Sequence, residues 1–443
     1  MSASSDVVIG RQRYALAQGY RCVHLWPHLC QMALARIWLS LFGLGFLAAC
    51  YKAFGRGQLE VFASLGTSML DAAKTGVELS IGLVGVMAFW LGMMRIGEAA
   101  GLIERLARLL SPVLTRLFPG VPAGHPALGA MVMNLSANML GLDSAATPLG
   151  LKAMQSLQEL NPEPDRATNA QLMFTILNSA GVTLIPVSVM VYRAQLGAAN
   201  PADVFLPSVI GTLISALAGV LITAGLQRIR VWQPALLLPL FAVLGGIGFV
   251  VWQAMRADQA LLGRYSLFAG NFLMVGVIVL FLAAGARKRL NVYDHFIEGA
   301  KGGFETGIRI IPYLIAMLCA IAAVRSTGVL DYALAILSSA IAGLGWDTAF
   351  VPALPTALMK PLSGSGARGL MLETMKLYGA DSFVGRLVST VQGSTETTLY
   401  VLALYYGSVG VRHTRYSLAV GLVVDAIGVL AAILLGYIFF AQG

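Results

Sequence analysis

Residues 360–369 read KPLSGSGARG, and they interrupt sequence that is apolar on both sides. Small hydroxyl residues, glycines and one arginine stand where no soluble loop is expected. An earlier stretch, NLSANMLGLDSAATP at 134–148, does the same in the first half of the chain. Backbone that leaves the helix at membrane depth is tolerated only where it is buried in protein or lines a wet cavity. Paired interruptions in corresponding halves point to a transporter binding site. The remaining sequence is therefore read as scaffold around two breaks.

Composition supports a membrane setting. Of the 443 residues 57% are hydrophobic and 12% charged, with a mean hydropathy of +0.77. Ordinary soluble domains carry about 25% charged residues, so this balance describes a polytopic membrane protein. The net charge of +9 is concentrated in short basic patches beside apolar runs. That pattern orients a membrane protein, and it gives no basis for a nucleic-acid partner. Four cysteines, Cys22, Cys30, Cys50 and Cys319, form no disulfide framework. Cys22, His24, His28 and Cys30 precede the first span in a segment poor in helix punctuation, and they are not read as a metal centre. Residues 1–34 are read as an N-terminal extension, with Met32 opening a second plausible start (MALARIWLSLFGLGF) and no clean cleavage site following.

Nine apolar runs, at 37–54, 78–96, 170–192, 204–226, 235–252, 266–285, 306–324, 385–407 and 414–440, are of a length suited to a hydrocarbon core about 30 Å thick. Two more, 127–154 and 352–377, contain the interruptions. Residues 102–117, with Arg105, Arg108 and Arg116, and residues 329–344 look like interfacial helices. If each interrupted segment enters and returns on one side, the loops with Arg105/Arg108/Arg116, Arg228/Arg230, Arg287/Lys288/Arg289 and Arg412/Arg415 share the side of the N-terminus. The positive-inside rule makes that side cytoplasmic, in a cell (inner) membrane. The uncharged tail FFAQG then falls outside.

The halves are also copies of one another. AKTGVE at 73–78 recurs as AKGGFE at 300–305, 227 positions later. The offset holds for Ile81 and Ile308, Gly101 and Gly328, and Ser111 and Ser338. It reaches the breaks, where Leu135-Ser136 matches Leu362-Ser363 and Asn138 matches Ser365. After about six extra residues in the first copy, register resumes with Leu149 to Met154 against Leu370 to Met375. One offset sustained this far indicates duplication. The segments are read as a first repeat at 35–230, linking transmembrane helices at 231–290 and a second repeat at 291–443. Because 78–96 runs inward and its copy 306–324 outward, the repeats are inverted. The expected fold is thus all-α and polytopic: two inverted repeats, about nine transmembrane helices and two re-entrant hairpins.

The breaks carry a family resemblance. NLSANMLGLDSAATPLGLKAM (134–154) is similar to the hallmark of the spore maturation A proteins. AKGGFETGIRIIPY (300–313), PLSGSGARGLMLETM (361–375) and QGSTETTLY (392–400) resemble the B proteins. The resemblance covers about 35–440 and identifies the chain with the nucleoside-recognition Gate family, whose relatives include parts of concentrative nucleoside carriers and the membrane portion of ferrous-iron transporters. It implies a transport-type fold and leaves the substrate open.

Read for chemistry, Gly364-x-Gly366-x-x-Gly369 matches a dinucleotide fingerprint in form but has no strand before it. No P-loop, HExxH or GxSxG occurs, and all five histidines lie outside the spans. No base–nucleophile pair can be named, so an enzyme is not expected, nor is a cofactor. Glycine-rich broken helices expose backbone N–H groups that favour anionic or polar ligands. Ser363, Gly364, Ser365, Gly366 and Arg368 in one copy, with Asn134, Ser136 and Asn138 in the other, are the candidate binding residues. The competing reading is that these small polar groups satisfy one another at a tight helix crossing.

A polar waist follows each break. The first has Thr175, Asn178, Ser179 and Thr183. The second packs Ser389, Gln392, Ser394, Thr395, Glu396, Thr397 and Thr398 into ten positions, more than helix–helix glue requires. Asn178, Ser179, Gln392, Ser394, Thr395 and Glu396 join the candidate site. Glu396 is read as the main functional acid, with Arg368 as its nearest cation. Asp425 lies inside the last span, where a carboxylate either pairs across the bundle or titrates.

The expected function is a secondary transporter or channel for a small polar solute, nucleoside-like or anionic. With no ATPase motif, any pumping draws on an ion gradient, of H+ or Na+, or on another subunit. The alternative is a membrane scaffold or envelope-maturation factor that keeps the fold and moves nothing. Membrane lipid is the expected partner, and self-association into a homo-oligomer is compatible with the sequence.

Overall fold

The computed structural model describes residues 25–440 except 141–142, 185, 231–232 and 257–258. The Cys22–Cys30 group lies outside the described side chains. Seventeen α-helices account for the fold, with no strand among the described residues.

The first repeat opens with the 39-residue α2 (Val61–Ala99), preceded by α1 (Leu25–Cys50) and a π turn (Tyr51–Gly55). Gly101, with φ +74, turns the chain into α3 (Leu102–Leu114). α4 (Pro126–Met139) and α5 (Asp143–Glu159) lie against each other as a hairpin. α6 (Asn169–Ala180) and α7 (Val187–Gln195) follow, then α8 (Phe205–Leu226). α9 (Pro234–Arg256) and α10 (Gln259–Arg287) connect the copies.

The same sequence of elements then repeats. α11 (Val292–Ser326) is the long helix, Gly328 turns with φ +75, and α12 (Val329–Gly343) follows. α13 (Leu354–Met359) and α14 (Gly364–Tyr378) form the second hairpin. α15 (Phe383–Ser394), α16 (Thr398–Ser408) and α17 (Ser417–Phe440) complete it. Positive φ is strained for residues with a Cβ, which explains why the sequence keeps glycine at 101 and again 227 positions on.

The repeats are inverted, and packing between equivalent helices shows it. A Cβ at Gly76 would meet Ile315, one at Gly303 would lie 2.5 Å from Ala88 Cα, and Arg95 pairs with Glu298 at 2.9 Å. Numbers rise along α2 as they fall along α11, so the two run antiparallel. α8 and α17 do the same, with Gly219 against Val424 and Gly428 against Ser215. Between lipid-bathed helices no hydrophobic drive selects partners, so small residues that let backbones approach do this work.

Among the described residues six helices are long and apolar enough to cross a membrane singly, and the end of α11 with α12, bent by 71°, makes a seventh candidate. Large apolar side chains line the outside of α9 and α10, among them Leu238 (75% exposed) and Phe272 (67%), as a lipid-facing surface requires. The segments 170–192 and 385–407, expected as uninterrupted spans, are each two half-helices. Gly181 in the left-handed region ends α6, and Pro186, lacking an N–H, stands before α7. Extended backbone at Thr395 (φ −147°, ψ 168°) separates α15 from α16.

The loops gather at two ends. At one, the Lys288 ammonium donates to Ala99 O (3.4 Å), Gln227 to Asn169 O (2.8 Å), and the N–H groups of Arg412 and His413 to Asp165 O (2.9 Å each). This is the basic end. At the other, Lys376 donates to Thr75 (3.0 Å), Tyr437 to Asp347, and Arg193, its side chain fully buried, bridges Asp203 (2.9 Å) and Asp381 (3.1 Å). Arg386 also donates to Asp203 (2.7 Å). Both hairpins therefore begin and finish at their own end, as re-entrant segments do.

Candidate functional site

Each first half of a broken span starts at a side-chain cap: Thr168 with Gln171 in a capping box for α6, and Ser382, accepting from Gly385 N–H, for α15. These fix the register that carries the breaks inward. There the two breaks cross, Glu396 N–H donating to Ser179 O at 3.0 Å. Gly181 permits the approach, since a Cβ would lie 2.5 Å from Glu396 Cγ. Each break is also tied to its own hairpin tip by one backbone bond, Leu184 N–H to Met139 O (2.9 Å) and Leu399 N–H to Pro361 O (3.1 Å).

Among the described side chains around the first break the polar groups are neutral, and several bond to one another. Asn178 Oδ1 accepts from Asn138 Nδ2 (2.7 Å) and from the Tyr405 hydroxyl (3.1 Å). Asn134 Nδ2 donates to Tyr405 Oη (3.2 Å) and to Ala146 O (2.7 Å). Tyr405 belongs to α16, so this network joins the repeats. Beside it, the Tyr406 hydroxyl lies 3.0 Å from Thr175 Oγ1 and 2.7 Å from Ser417 Oγ. Ser136 and Ser179 are fully buried, each hydroxyl without a hydrogen-bond partner.

Around the second break the groups are charged. Lys360, 4% exposed, donates from Nζ to Gln392 O (2.9 Å). Asp425 is 2% exposed, and its polar neighbours are Thr398, Lys360, Glu396 and Thr395. Ser394 O accepts from Ser215 Oγ (3.1 Å). Ser363 caps α14 by accepting from Gly366 N–H (3.1 Å), with Ser365 Oγ 3.2 Å away. Arg368 Nε donates to Gly364 O (3.2 Å). Glu396 is exposed while Thr395 and Thr397 beside it are buried.

Several sequence readings need adjusting. Asn134, Ser136 and Asn138 sit within the last turns of α4 rather than on unwound backbone. Gly364 and Gly366 lie in the first turn of α14 without positive φ. They are needed for close approach, a Cβ at 364 lying 2.7 Å from Thr397 Oγ1 and one at 366 lying 3.0 Å from Met359 Cγ. The sequence reading missed Lys360 as the buried cation and Tyr405 as the link between repeats. Lys360 opens the interrupting stretch itself, and that position was the available signal; a tyrosine in an apolar helix gives none.

The Gate family, described as nucleoside recognition, matches residues 80–196 and 307–412. Spore maturation protein A of Bacillus subtilis (strain 168) is 37% identical over 186 residues, 42% of this chain and 91% of that protein. Spore maturation protein B of the same organism is 42% identical over 178 residues, 39% of this chain and 97% of that protein. No solved structure matches. Two matched segments, one in each structural repeat, and two relatives matched over nearly their full lengths lead to one conclusion: the chain is a membrane protein of the Gate family.

Proposed function

We propose that this protein is a secondary transporter or channel for a small polar solute, nucleoside-like or anionic, bound where the two breaks cross, and that it catalyses no covalent reaction. The observation that carries this reading is Glu396: exposed, on unwound backbone, in the middle of a broken span. A carboxylate with open surface at that depth has to face water or a ligand. In this reading Asn138, Asn178, Ser179, Ser363, Ser365, Arg368, Gln392 and Ser394 supply hydrogen-bonding groups around the crossing and Asn134, Ser136, Gly364 and Gly366 shape its walls, whereas Thr395 faces α17 instead.

The test is a solute panel of nucleosides, nucleobases and small anions against the purified protein, read first by thermal stabilisation and then by uptake into proteoliposomes. Stabilisation and uptake by one class, both lost in Glu396→Gln, are expected. A stable protein partner with no stabilising solute would assign the fold a scaffold role. The proposed placement, in the inner membrane with the basic end and N-terminus cytoplasmic, predicts that single cysteines at Gly197 and Gly263 label from outside and one at Lys288 does not. Labelling of Gly197 from inside would reverse the orientation.

A further inference from the structure

The second break holds a buried oxygen cluster that the crossing does not use. α17 presents Gly421, Asp425 and Gly428 on one face, at helical spacing. A Cβ at Gly421 would lie 2.5 Å from Thr398 Cγ2, and Gly428 stands as closely against Thr395 and Ser215. The two glycines thus press Asp425 against the unwound segment. Extended backbone alternates its side chains, so Thr395 turns toward α17 as Glu396 turns away. Both Asp425 carboxylate oxygens, Thr395 Oγ1 and Thr398 Oγ1 are buried; the two hydroxyls lie beside the carboxylate, and none of the four makes a well-aligned hydrogen bond. A buried carboxylate whose neighbouring hydroxyls are poorly aligned to it is unusual, because such groups are normally satisfied.

We infer that Asp425, Thr395 and Thr398 form a site for a dehydrated monovalent cation of sodium size, with Lys360 as the built-in charge that competes for it. The donors are hard oxygens carrying one negative charge, which matches a monovalent ion. No cluster of three or more His, Cys, Asp or Glu exists among the described residues to suit a divalent or transition metal. The C-terminal end of α15 at Ser394 adds the partial negative charge of a half-helix terminus. The Lys360 ammonium, on the hairpin tip, faces the same carboxylate while held on Gln392 O. Ion and lysine are alternative counter-charges for Asp425. Binding of one weakens the hold of the other, and linkage makes that effect reciprocal. Sodium binding would thereby loosen the hairpin tip from α17. The coupling of this step to solute movement rests on the transport reading; the binding of the ion does not.

The experiment is thermal stability of the purified full chain in sodium chloride against choline and potassium chloride at equal ionic strength, with no solute present. Sodium should raise Tm by about 2–4 °C. Asp425→Asn should abolish the sodium-specific shift and Thr395→Val should weaken it. Lys360→Met should lower the half-saturating sodium concentration by about tenfold, a gain that loss of a merely structural lysine would not produce. Binding of radioactive sodium gives the same comparison for a variant that melts poorly. No sodium-specific shift in either wild type or Lys360→Met would overturn the site. So would an unchanged shift in Asp425→Asn, weaker sodium binding in Lys360→Met, or a response to pH alone. Sodium binding that survives while every solute fails would remove the transport reading and leave this site standing.

Discussion

Among the described side chains the first break is neutral and closed, its asparagines and Tyr405 bonded to one another. The second is charged, with Lys360 and Asp425 buried and Glu396 exposed. Both copies keep the same backbone plan, in which a hairpin tip is tied to a broken span by one hydrogen bond. The closures at the two ends differ in a parallel way. The loop after α7 is locked by the buried Arg193 to Asp203 and Asp381. Its counterpart after α16 is joined by backbone bonds and an exposed Arg412–Asp165 pair at 3.7 Å. Duplication preserved the geometry while the side chains diverged, hydrogen-bonded amides and hydroxyls at one break and charged groups at the other.

The largest expected effect separates the two closures. Arg193→Met leaves two carboxylates facing each other in a partly buried site and should cost about 3–5 kcal/mol, read as a large fall in Tm. Arg412→Met, at the exposed counterpart, should cost less than about 1 kcal/mol. Equal losses would erase the distinction between a locked and a loose end.

Next comes the binding chemistry. Glu396→Gln keeps shape and removes charge, so solute affinity should fall roughly tenfold to a hundredfold with little change in apo stability. Arg368→Gln tests the cation assigned to it from sequence; a double mutant with a less than additive loss would pair them. Full activity in Glu396→Gln would move the function away from the second break.

Tyr405→Phe probes the closed network. It removes the hydroxyl shared by Asn134 and Asn178 and should cost about 1–3 kcal/mol of stability, with solute affinity retained. A loss of affinity without loss of stability would make the Tyr405 hydroxyl itself a solute-binding group.

The smallest effect concerns the scaffold both copies share. The Arg95 guanidinium, hydrogen-bonded to Glu298, holds that carboxyl below the ordinary glutamate value. A depressed carboxyl stabilises above its unfolded value, and the contribution disappears as pH falls through the folded value, below about 4.5. Because Glu298 is exposed, the loss between pH 5 and 3 should be slight, and Glu298→Gln should remove it. A steep acid transition that survives this variant would place the sensitive group elsewhere.

Much of the architecture is legible along the chain. The 227-residue offset located both copies, and the glycines at 101 and 328 that it aligned both turn with positive φ. Basic loops placed the hairpins as re-entrant, and the loops do gather at two ends. Two things were less legible. The spans at 170–192 and 385–407 read as continuous because apolar length says nothing about a break when the interrupting residues number three to six. Glycines 364 and 366 read as part of a broken helix that exposes its N–H groups, because a sequence does not show whether a glycine serves φ or proximity.

The sequence by itself determined that this is a membrane protein, that it is duplicated, and where polar groups enter apolar helices. Those properties depend on composition and on spacing between near neighbours. The tertiary structure decided which half-helices cross, which carboxylate is open and which is buried, and that a lysine and a tyrosine complete the two sites. Within a bilayer every helix face is surrounded by apolar matter, so hydrophobicity cannot choose partners. The choice falls to close backbone approach at small residues and to hydrogen bonds such as Asn134 to Tyr405, between groups 271 positions apart, and no local pattern records it.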